Sequence, residues 1–335
     1  MTAYSRNCGP SATPQFQLCL GGNRLGGELD QEESFRLLDR FVELGGTLID
    51  TAHVYADWLP GNERSSSERV LGRWRASRGI GPDIEIGTKG GHPDVATPTV
   101  KRISKRDLRV DVLAALENLG LEVLPLFYLH RDDAAQEVST ILAWLEGFVA
   151  EGLIERYAAC NWTPGRLGAA VRVAAEHGWS GFSVHQAGFS LAVPGAGKLS
   201  ADLVTVDAEV LALHQAAQVP LIAYSAQAKG FFDKIAADPA SVRGGTYDTE
   251  LNRRAAAVVQ EVAGELRCTP TQVAVAAITM LPVPTVAVIG PRTVDQLESS
   301  WRSLQIEFTD RQRNRLAGLV QRNLAADQQT NSALL

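Results

Sequence analysis

The sequence predicts a (β/α)8 TIM barrel of the α/β class, and three observations lead to this fold. Eight short apolar runs alternate with stretches of helical periodicity, which is typical of parallel strands joined by helices. Polar residues lie at the ends of several runs, as expected where parallel strands end on one catalytic face. The 335 residues also suit one barrel, which takes about 250 residues plus insertions. We expect a single domain over residues 1–335, with a barrel core at about 16–305.

The strands are predicted where short apolar runs are bounded by turn residues or charges. They cover residues 16–20, 47–52, 84–89, 124–130, 154–159, 182–186, 221–224 and 285–289. The last strand belongs to an apolar stretch that begins at Val273 and is interrupted by Pro282 and Pro284. Because proline ends a helix, this stretch divides into a buried helix ending near Leu281 and a strand, and a membrane span is not expected.

Outer helices are predicted where apolar residues recur at helical spacing. The first covers residues 32–44, with Phe41 on its apolar face and Asp30 as its N-cap. An extra helix is expected after the barrel, within residues 306–325, followed by a polar tail at 326–335. The other predicted helices are 65–78, 105–119, 138–151 and 164–177.

Four long segments follow predicted strands and should therefore lie on the catalytic face. They cover residues 55–67, 89–104, 187–207 and 226–249. Because loops of this length in a compact domain are usually functional, we expect them to form the walls of a binding site.

The composition disfavours several classes of partner. The net charge is −6 and no basic block stands out, which argues against nucleic acid and anionic membranes. The polar first seven residues lack an apolar signal core. No histidine spacing predicts a metal site. The cysteines show no CxxC spacing and are interpreted as reduced thiols of a cytoplasmic protein; they are Cys8, Cys19, Cys160 and Cys268.

Four polar residues lie at or just after the ends of three predicted strands: Asp50, Tyr55, Lys89 and His130. Together they have the chemistry needed to protonate a carbonyl oxygen. A free phenol has a pKa near ~10, and an ammonium such as Lys89 lowers it by favouring the phenolate. Asp50 would keep Lys89 charged, and His130 would hydrogen-bond the carbonyl oxygen. None of these groups supplies electrons, so the hydride must come from a cofactor.

Each of these four residues also has an ordinary structural interpretation. Asp50 suits a helix cap, and Tyr55 suits a loop aromatic. Lys89 suits a surface charge, and His130 suits a core histidine that is satisfied by its neighbours. Only their joint occurrence at successive strand ends favours the catalytic interpretation.

The segments around these residues resemble the signature blocks of the aldo-keto reductases. The matching blocks are DTAHVY at 50–55, TKGG at 88–91 and LHRDD at 129–133. Further blocks at 159–161, 185–186, 223–225 and 288–297 occur in the family's order, and the resemblance spans residues 16–305. It implies a barrel enzyme that reduces an aldehyde or ketone with NADPH. In that reading Tyr55 is the proton donor.

The resemblance also implies the contacts of the cofactor. They are Gly22, Asn23, Asp50, Cys160, Asn161, Gln186, Tyr224, Ser225, Gln227, Gly230, Gly290, Arg292, Gln296 and Ser300. Lys229 stands in a loop where small residues are common in the family, and we expect it to add a contact to the pyrophosphate. Tyr224 would stack on the nicotinamide, and the block at 159–161 would hold its carboxamide. The sequence departs from the family at Cys160, where serine is usual, and at Ser300, where asparagine is frequent. A thiol is a poorer hydrogen-bonding group than a hydroxyl.

The preference for NADPH depends on Arg292. Basic or polar side chains in this segment contact the 2′-phosphate of NADP in the resembling family, and a guanidinium suits phosphate geometrically. The alternative is that Arg292 caps a surface loop or pairs with Asp295.

The substrate pocket is predicted to contain Trp58, His92 and Trp162. Other loop residues expected there are Asp94, Arg131, Phe189 and Phe231. Flat aromatic faces mixed with hydrogen-bonding groups favour a hydroxylated, sugar-like carbonyl compound over a uniformly apolar one.

Two other functions remain open on the sequence alone. One is an NADPH-binding regulatory subunit with little turnover, resembling potassium-channel beta subunits. The other is a metal-dependent sugar isomerase on the same barrel, which needs clustered carboxylate and histidine ligands that the spacing does not provide. The sequence predicts no particular oligomeric state.

Overall fold

The computed structural model describes residues 17–332 of the chain. Its eight parallel strands close into a barrel in sequential order, with the last strand hydrogen-bonded to the first. The strands are β1 Gln17–Gly21, β2 Leu48–Asp50, β3 Glu85–Gly90, β4 Leu126–Leu129, β5 Tyr157–Cys160, β6 His185–Gly188, β7 Leu221–Tyr224 and β8 Thr285–Ile289. The predicted (β/α)8 TIM barrel is confirmed.

The described helices connect the strands and cover the outside of the barrel. They are α1 Gln31–Glu43, α2 Ser66–Arg78, α3 Lys105–Leu119, α4 Val138–Ala150, α5 Pro164–His177, α6 Ala208–Ala217, α7 Phe231–Ala237, α8 Glu250–Leu266, α9 Pro270–Ala276, α10 Val294–Trp301 and α11 Asp310–Ser332. Asp30 caps α1 as predicted: its carboxylate accepts the Glu33 N–H, and the Glu33 carboxylate accepts the Asp30 N–H. This is a reciprocal capping box.

The regular ladder between β4 and β5 begins later than the apolar pattern predicts. Leu124 and Ile154 form only an isolated bridge, and the paired residues of the two strands start at Phe127 and Tyr157. Pro125 follows the bridge, and proline has no N–H to donate to a ladder. The predicted starts at 124 and 154 are therefore too early.

The segment predicted as a long loop at 226–249 contains a helix, which corrects the prediction. After a 3₁₀ turn at Ala228–Gly230, helix α7 runs over Phe231–Ala237. Phe231 and Phe232 are buried, and their rings are in edge-to-face contact with centroids 5.3 Å apart. Burial of two phenyl rings stabilises a short helix that its sequence alone would not.

The barrel interior below the catalytic face is filled by small and medium apolar side chains. They form one cluster that includes Cys19, Leu48, Leu126, Ala158 and Ile222. The largest member is Tyr128, and Gly87 on the neighbouring strand leaves room for its ring: a Cβ at Gly87 would approach that ring to 2.8 Å. This packing fills the barrel interior and forms an apolar floor beneath the polar groups of the catalytic face.

The C-terminal helix differs in length from the prediction. Helix α11 extends to Ser332, over residues predicted to form a polar tail. Leu316 and Leu319 are buried. Asn323 Nδ2 donates to the Ser190 carbonyl oxygen at 3.2 Å, so the helix contacts the loop after β6.

Some sequence predictions fall on parts of the chain that are not described. Phe16, Cys8 and the end of the predicted tail at 333–335 lie outside the described residues. Within residues 17–332, no helix is both long and apolar enough to cross a membrane.

Two buried histidines lie between β6 and α6. His185 Nδ1 is 3.0 Å from His214 Nε2, and His214 Nδ1 is 2.6 Å from the Val219 carbonyl oxygen. Burial lowers the pKa of His185 to about 3 and also lowers the pKa of His214. Unfolded histidine titrates near ~6.5, so below that pH the unfolded chain binds protons that the folded protein excludes. Stability is therefore lost as the pH falls.

We predict that the free energy of unfolding decreases by about 2 kcal/mol between about pH 7.5 and about pH 5 through His185 alone. Urea titration at both pH values measures this decrease. His185→Gln should show a smaller decrease, whereas the exposed His177→Gln should match wild type. An unchanged pH dependence in His185→Gln would contradict the assignment.

Candidate active site

The four predicted catalytic residues meet at the carboxyl ends of β2, β3 and β4. Asp50 ends β2, Lys89 lies near the end of β3, and His130 directly follows β4. Tyr55 lies in the turn after β2, where its N–H donates to the Ala52 carbonyl oxygen at 3.0 Å. Residues far apart in sequence are therefore brought together by the parallel barrel.

A buried ion pair organises this group. Lys89 Nζ donates to Asp50 Oδ2 at 2.6 Å, to the Thr51 carbonyl oxygen at 2.8 Å and to the Tyr55 hydroxyl at 3.0 Å. These contacts use all three donors of the ammonium. Gln186 Nε2 donates to the other Asp50 oxygen at 2.8 Å. Because both carboxylate oxygens are bonded, the direction of the Lys89 ammonium is fixed.

The pKa of Tyr55 shifts in the opposite direction to the sequence prediction. Burial raises its pKa, and Asp50 also raises it, while Lys89 lowers it; the net change is upward from the ordinary value. The expectation of a lowered pKa was wrong for the isolated protein because burial outweighs the ammonium. Burial acts against the charge of Lys89 as well, but Asp50 and Tyr55 raise the pKa of that ammonium overall. The site therefore holds a neutral phenol beside a charged ammonium.

His130 lies opposite this pair as a neutral imidazole. Burial, followed by Arg131 and Lys89, lowers its pKa well below the ordinary value. Its ring centroid lies 5.9 Å from that of Tyr55 and 4.8 Å from that of His92. Among the described residues, His130 Nδ1 has no hydrogen-bond partner. An imidazole in this state can donate one hydrogen bond to a ligand oxygen.

A second polar network behind the turn of Tyr55 was not predicted from the sequence. His53 Nδ1 lies 3.0 Å from Ser65 Oγ and 3.4 Å from Glu68 Oε2. Glu68 is fully buried and accepts hydrogen bonds from Thr88 and Asn118. The backbone N–H of His53 donates to the Lys89 carbonyl oxygen at 3.0 Å. This network attaches the turn of Tyr55 to strand β3.

A cleft of about 680 Å³ runs from Tyr55 across the catalytic face to Arg292. All predicted cofactor residues except Gly22 line it: Asn23, Asp50, Cys160, Asn161, Gln186, Tyr224, Ser225, Gln227, Lys229, Gly230, Gly290, Arg292, Gln296 and Ser300. Gly21 lines the cleft in place of Gly22, and the N–H of Gly22 donates to the Asp50 carbonyl oxygen at 2.6 Å. A Cβ at Gly22 would approach that oxygen to 2.9 Å, so Gly22 allows β1 and β2 to pack closely.

Beside the charged Asp50 and Arg131, the end of the cleft near Tyr55 is lined by uncharged hydrogen-bonding groups. The Tyr224 hydroxyl donates to Asn161 Oδ1 at 2.8 Å. Asn161 adopts a φ of 60°, a left-handed conformation that asparagine tolerates. Its amide nitrogen contacts Cys160 Sγ at 3.2 Å. Burial raises the pKa of the Cys160 thiol to about 12, so Cys160 acts here as a neutral hydrogen-bonding group.

The opposite end of the cleft is cationic and rich in amides. Gln227 joins two segments, because it donates to Ser300 Oγ at 2.9 Å and accepts the Gly290 N–H at 3.0 Å. The Arg292 N–H donates to Gln296 Oε1 at 2.8 Å. The guanidinium of Arg292 pairs with Glu28 at 3.3 Å. The alternative pairing with Asp295 does not occur among the ion pairs of the described residues.

Three charged residues of the cleft were missed in the sequence. Arg24, Asp233 and Lys234 line it. The available signal for Arg24 was its place in the glycine-rich turn after β1. Asp233 and Lys234 belong to α7, which was predicted as a loop, so no face could be assigned to them.

The predicted substrate residues have different locations. Trp58 is 44% exposed, and its ring lies edge-on to Tyr55 with centroids 6.1 Å apart. His92 lies against His130, and Arg131 lines the cleft. Asp94 pairs with Arg64 at 2.8 Å.

Trp162 corrects the prediction because it does not line the cleft. Its side chain is fully buried, packs on Phe182 with centroids 4.8 Å apart and lies under the guanidinium of Arg166. Phe231 is likewise a core residue of α7, and Phe189 lines a separate small pocket beside Tyr224.

The comparison with known families agrees with this geometry. A model of the Aldo/keto reductase family matches residues 17–321. The chain belongs to this family. It is 26% identical over 325 residues to a norsolorinic acid reductase of Emericella nidulans, covering 92% of this chain and 80% of the relative.

Two further relatives are a second norsolorinic acid reductase and an aryl-alcohol dehydrogenase. Norsolorinic acid reductase A of Aspergillus parasiticus is 31% identical over 207 residues, which is 57% of this chain and 51% of the relative. An aryl-alcohol dehydrogenase of Pestalotiopsis microspora is 24% identical over 316 residues, covering 90% and 78% of the two chains. This aldo-keto reductase is therefore related to proteins named as oxidoreductases.

Residues 17–332 contain no group of three or more His, Cys, Asp or Glu side chains placed to hold a metal ion.

The buried ion pair gives a test of stability. We predict that Asp50→Asn lowers the free energy of unfolding by about 3–5 kcal/mol, because it leaves the Lys89 ammonium buried without its counter-charge. The double variant Asp50→Asn/Lys89→Met should recover much of that loss, since neither charge remains. Urea unfolding of the wild type, both single variants and the double variant gives the coupling energy. Additive losses would show that the two side chains do not depend on each other.

Proposed function

We propose that this aldo-keto reductase reduces a carbonyl compound to an alcohol with NADPH, and that Tyr55 is the proton donor. The single observation that carries the proposal is the position of Lys89 Nζ, within 3.0 Å of both Asp50 and the Tyr55 hydroxyl at the end of the cleft. This arrangement provides a neutral acid with a fixed positive charge beside it.

The lining of the cleft fits a nicotinamide dinucleotide. One end presents uncharged amides from Asn161 and Gln186, which suit a carboxamide. The other end presents cations from Arg24, Lys229 and Arg292, which suit phosphates. These residues would hold the cofactor, and when bound it would supply the hydride that none of the side chains can provide.

The chain's own residues would move and orient the proton. Tyr55 donates its hydroxyl proton to the carbonyl oxygen as negative charge develops there. Lys89 stabilises the phenolate that remains, because its ammonium lies 3.0 Å from the Tyr55 oxygen. The ion pair with Asp50 holds the ammonium in that position. His130 is neutral and can donate a hydrogen bond to the same carbonyl oxygen, which positions it for the transfer.

Two observations support an aryl carbonyl compound as substrate. Trp58 is an exposed ring beside Tyr55, and a similar protein is named an aryl-alcohol dehydrogenase. The sugar-like preference inferred from the sequence stays a prediction, weakened by the burial of Trp162. A cytoplasmic location also stays a prediction.

The first test is the variant Tyr55→Phe. We expect turnover of the best aldehyde or ketone to fall by a factor of about 10²–10⁴, because the proton donor is lost while the cleft keeps its shape. NADPH absorbance over a panel of aryl and sugar aldehydes measures turnover, and fluorescence titration should show unchanged NADPH affinity. Wild-type turnover in Tyr55→Phe would remove Tyr55 from this role. Tight NADPH binding by wild type with no turnover on any substrate would favour the regulatory function.

The second test concerns the phosphate of the cofactor. We expect Arg292→Ala to weaken NADPH binding by about 1.5 kcal/mol, the low end for a hydrogen bond to a charged group, because the side chain is largely exposed. NADH affinity should change little. Titration of both cofactors against both proteins measures the ratio. An equal loss for NADH and NADPH would mean that Arg292 supports the loop and does not contact the 2′-phosphate.

A further inference from the structure

We propose that Glu28 is a built-in competitor for the 2′-phosphate of the cofactor: it holds Arg24 and Arg292 together at the cationic end of the cleft and is displaced when the phosphate binds. The inference rests on the proposed function, because it assumes that the cleft binds a nicotinamide dinucleotide. Glu28 would thus be a residue that sets cofactor specificity and release.

One carboxylate oxygen bridges two guanidinium groups. Glu28 Oε2 forms ion pairs with Arg24 Nη1 and with Arg292 Nη2, the latter at 3.3 Å. Arg24 follows β1 and Arg292 follows β8, and these two strands are neighbours in the barrel. Both arginines line the cleft. The carboxylate therefore occupies the position between two cations where a bound anion would lie.

The loop that carries Glu28 is fixed to the barrel. Leu25 and Leu29 are buried, and the N–H of Leu29 donates to the Arg24 carbonyl oxygen at 3.0 Å. Asn62 Nδ2 donates to the Gly26 carbonyl oxygen at 3.0 Å. Gly26 has a φ of 65°, and a Cβ there would approach the Ser66 carbonyl oxygen to 2.8 Å. Glu28 is thus presented by an anchored loop.

The bridge by Glu28 leaves Arg24 incompletely bonded. Its Nε is buried and has no hydrogen-bond partner among the described residues. A phosphate has three acceptor oxygens and bonds guanidinium groups through two parallel contacts. A carboxylate oxygen shared by two arginines cannot do this. A phosphate would give each guanidinium group an acceptor oxygen of its own, which the shared Glu28 oxygen does not provide.

The charges predict opposite effects of Glu28 in the two states. Without the cofactor, the carboxylate reduces repulsion between the two guanidinium groups. With NADPH, the carboxylate and the 2′-phosphate compete for the same cations and repel each other, so Glu28 has to move away. NADH lacks the 2′-phosphate and leaves the contact between Glu28 and Arg292 in place. Glu28 should therefore weaken NADPH binding selectively.

The test is Glu28→Gln, which keeps the shape of the side chain and removes its charge. We expect the Kd for NADPH to fall about fivefold, in the range for a partly exposed charge pair, and the Kd for NADH to change less than about twofold. Adenosine 2′-monophosphate should gain as NADPH does, whereas adenosine 5′-monophosphate should not. Quenching of intrinsic tryptophan fluorescence measures all four affinities without any turnover.

The matched control is Glu32→Gln. Glu32 is exposed and pairs with Arg36 on α1, so this variant makes the same change in net charge away from the cleft, and its affinities should equal those of wild type. An unchanged or higher Kd for NADPH in Glu28→Gln would overturn the inference, as would an equal gain for NADH. If wild type binds neither dinucleotide, the proposed function itself fails. If wild type binds NADPH and Glu28→Gln has no effect, only the role of Glu28 fails.

Discussion

The buried pair of Lys89 and Asp50 is the interaction on which the rest of the catalytic face depends. Two charges removed from water are tolerated only when the surrounding atoms replace the lost hydration. Each neighbouring group does part of this: the Thr51 carbonyl and the Tyr55 hydroxyl complete the ammonium, and Gln186 completes the carboxylate. The positions of β2, β3 and β6 relative to one another are thereby coupled to one electrostatic requirement. The same atoms therefore stabilise the buried charges and fix how these strands pack.

The residues that line the cleft differ in charge between its two ends. Near Tyr55, neutral amides and a neutral thiol line the cleft together with the Asp50 carboxylate, whose charge is balanced by the Lys89 ammonium. Cations are concentrated at the far end, on a chain whose net charge is −6. Because electrostatic attraction between opposite charges is strongest in a low-dielectric cleft, this distribution orients a ligand that is itself anionic at one end.

The sequence predicted the barrel and the meeting of the four proposed catalytic residues because both follow from local rules. Apolar runs mark the strands, and parallel strands bring the residues after them to one face. Contacts across loops obey no such rule. The pairing of Arg292 with Glu28 joins residues that no spacing connects, and the pKa of Tyr55 depends on how much water the fold removes. Trp162 follows Asn161, which has a left-handed backbone conformation, and its side chain is buried. Neither the backbone conformation nor the burial could be predicted from the sequence.

Through the contact between Asn323 and the Ser190 carbonyl oxygen, the last helix also supports the loop after β6. The helix lies after the final strand, so it can change in length or composition while the eight-stranded barrel keeps its hydrogen bonds. Its contact is with the loop that forms one wall beside Tyr224. Changes in the carboxyl-terminal segment alone can therefore alter the shape of that wall, while Tyr55, Lys89 and the barrel interior beneath them stay unchanged.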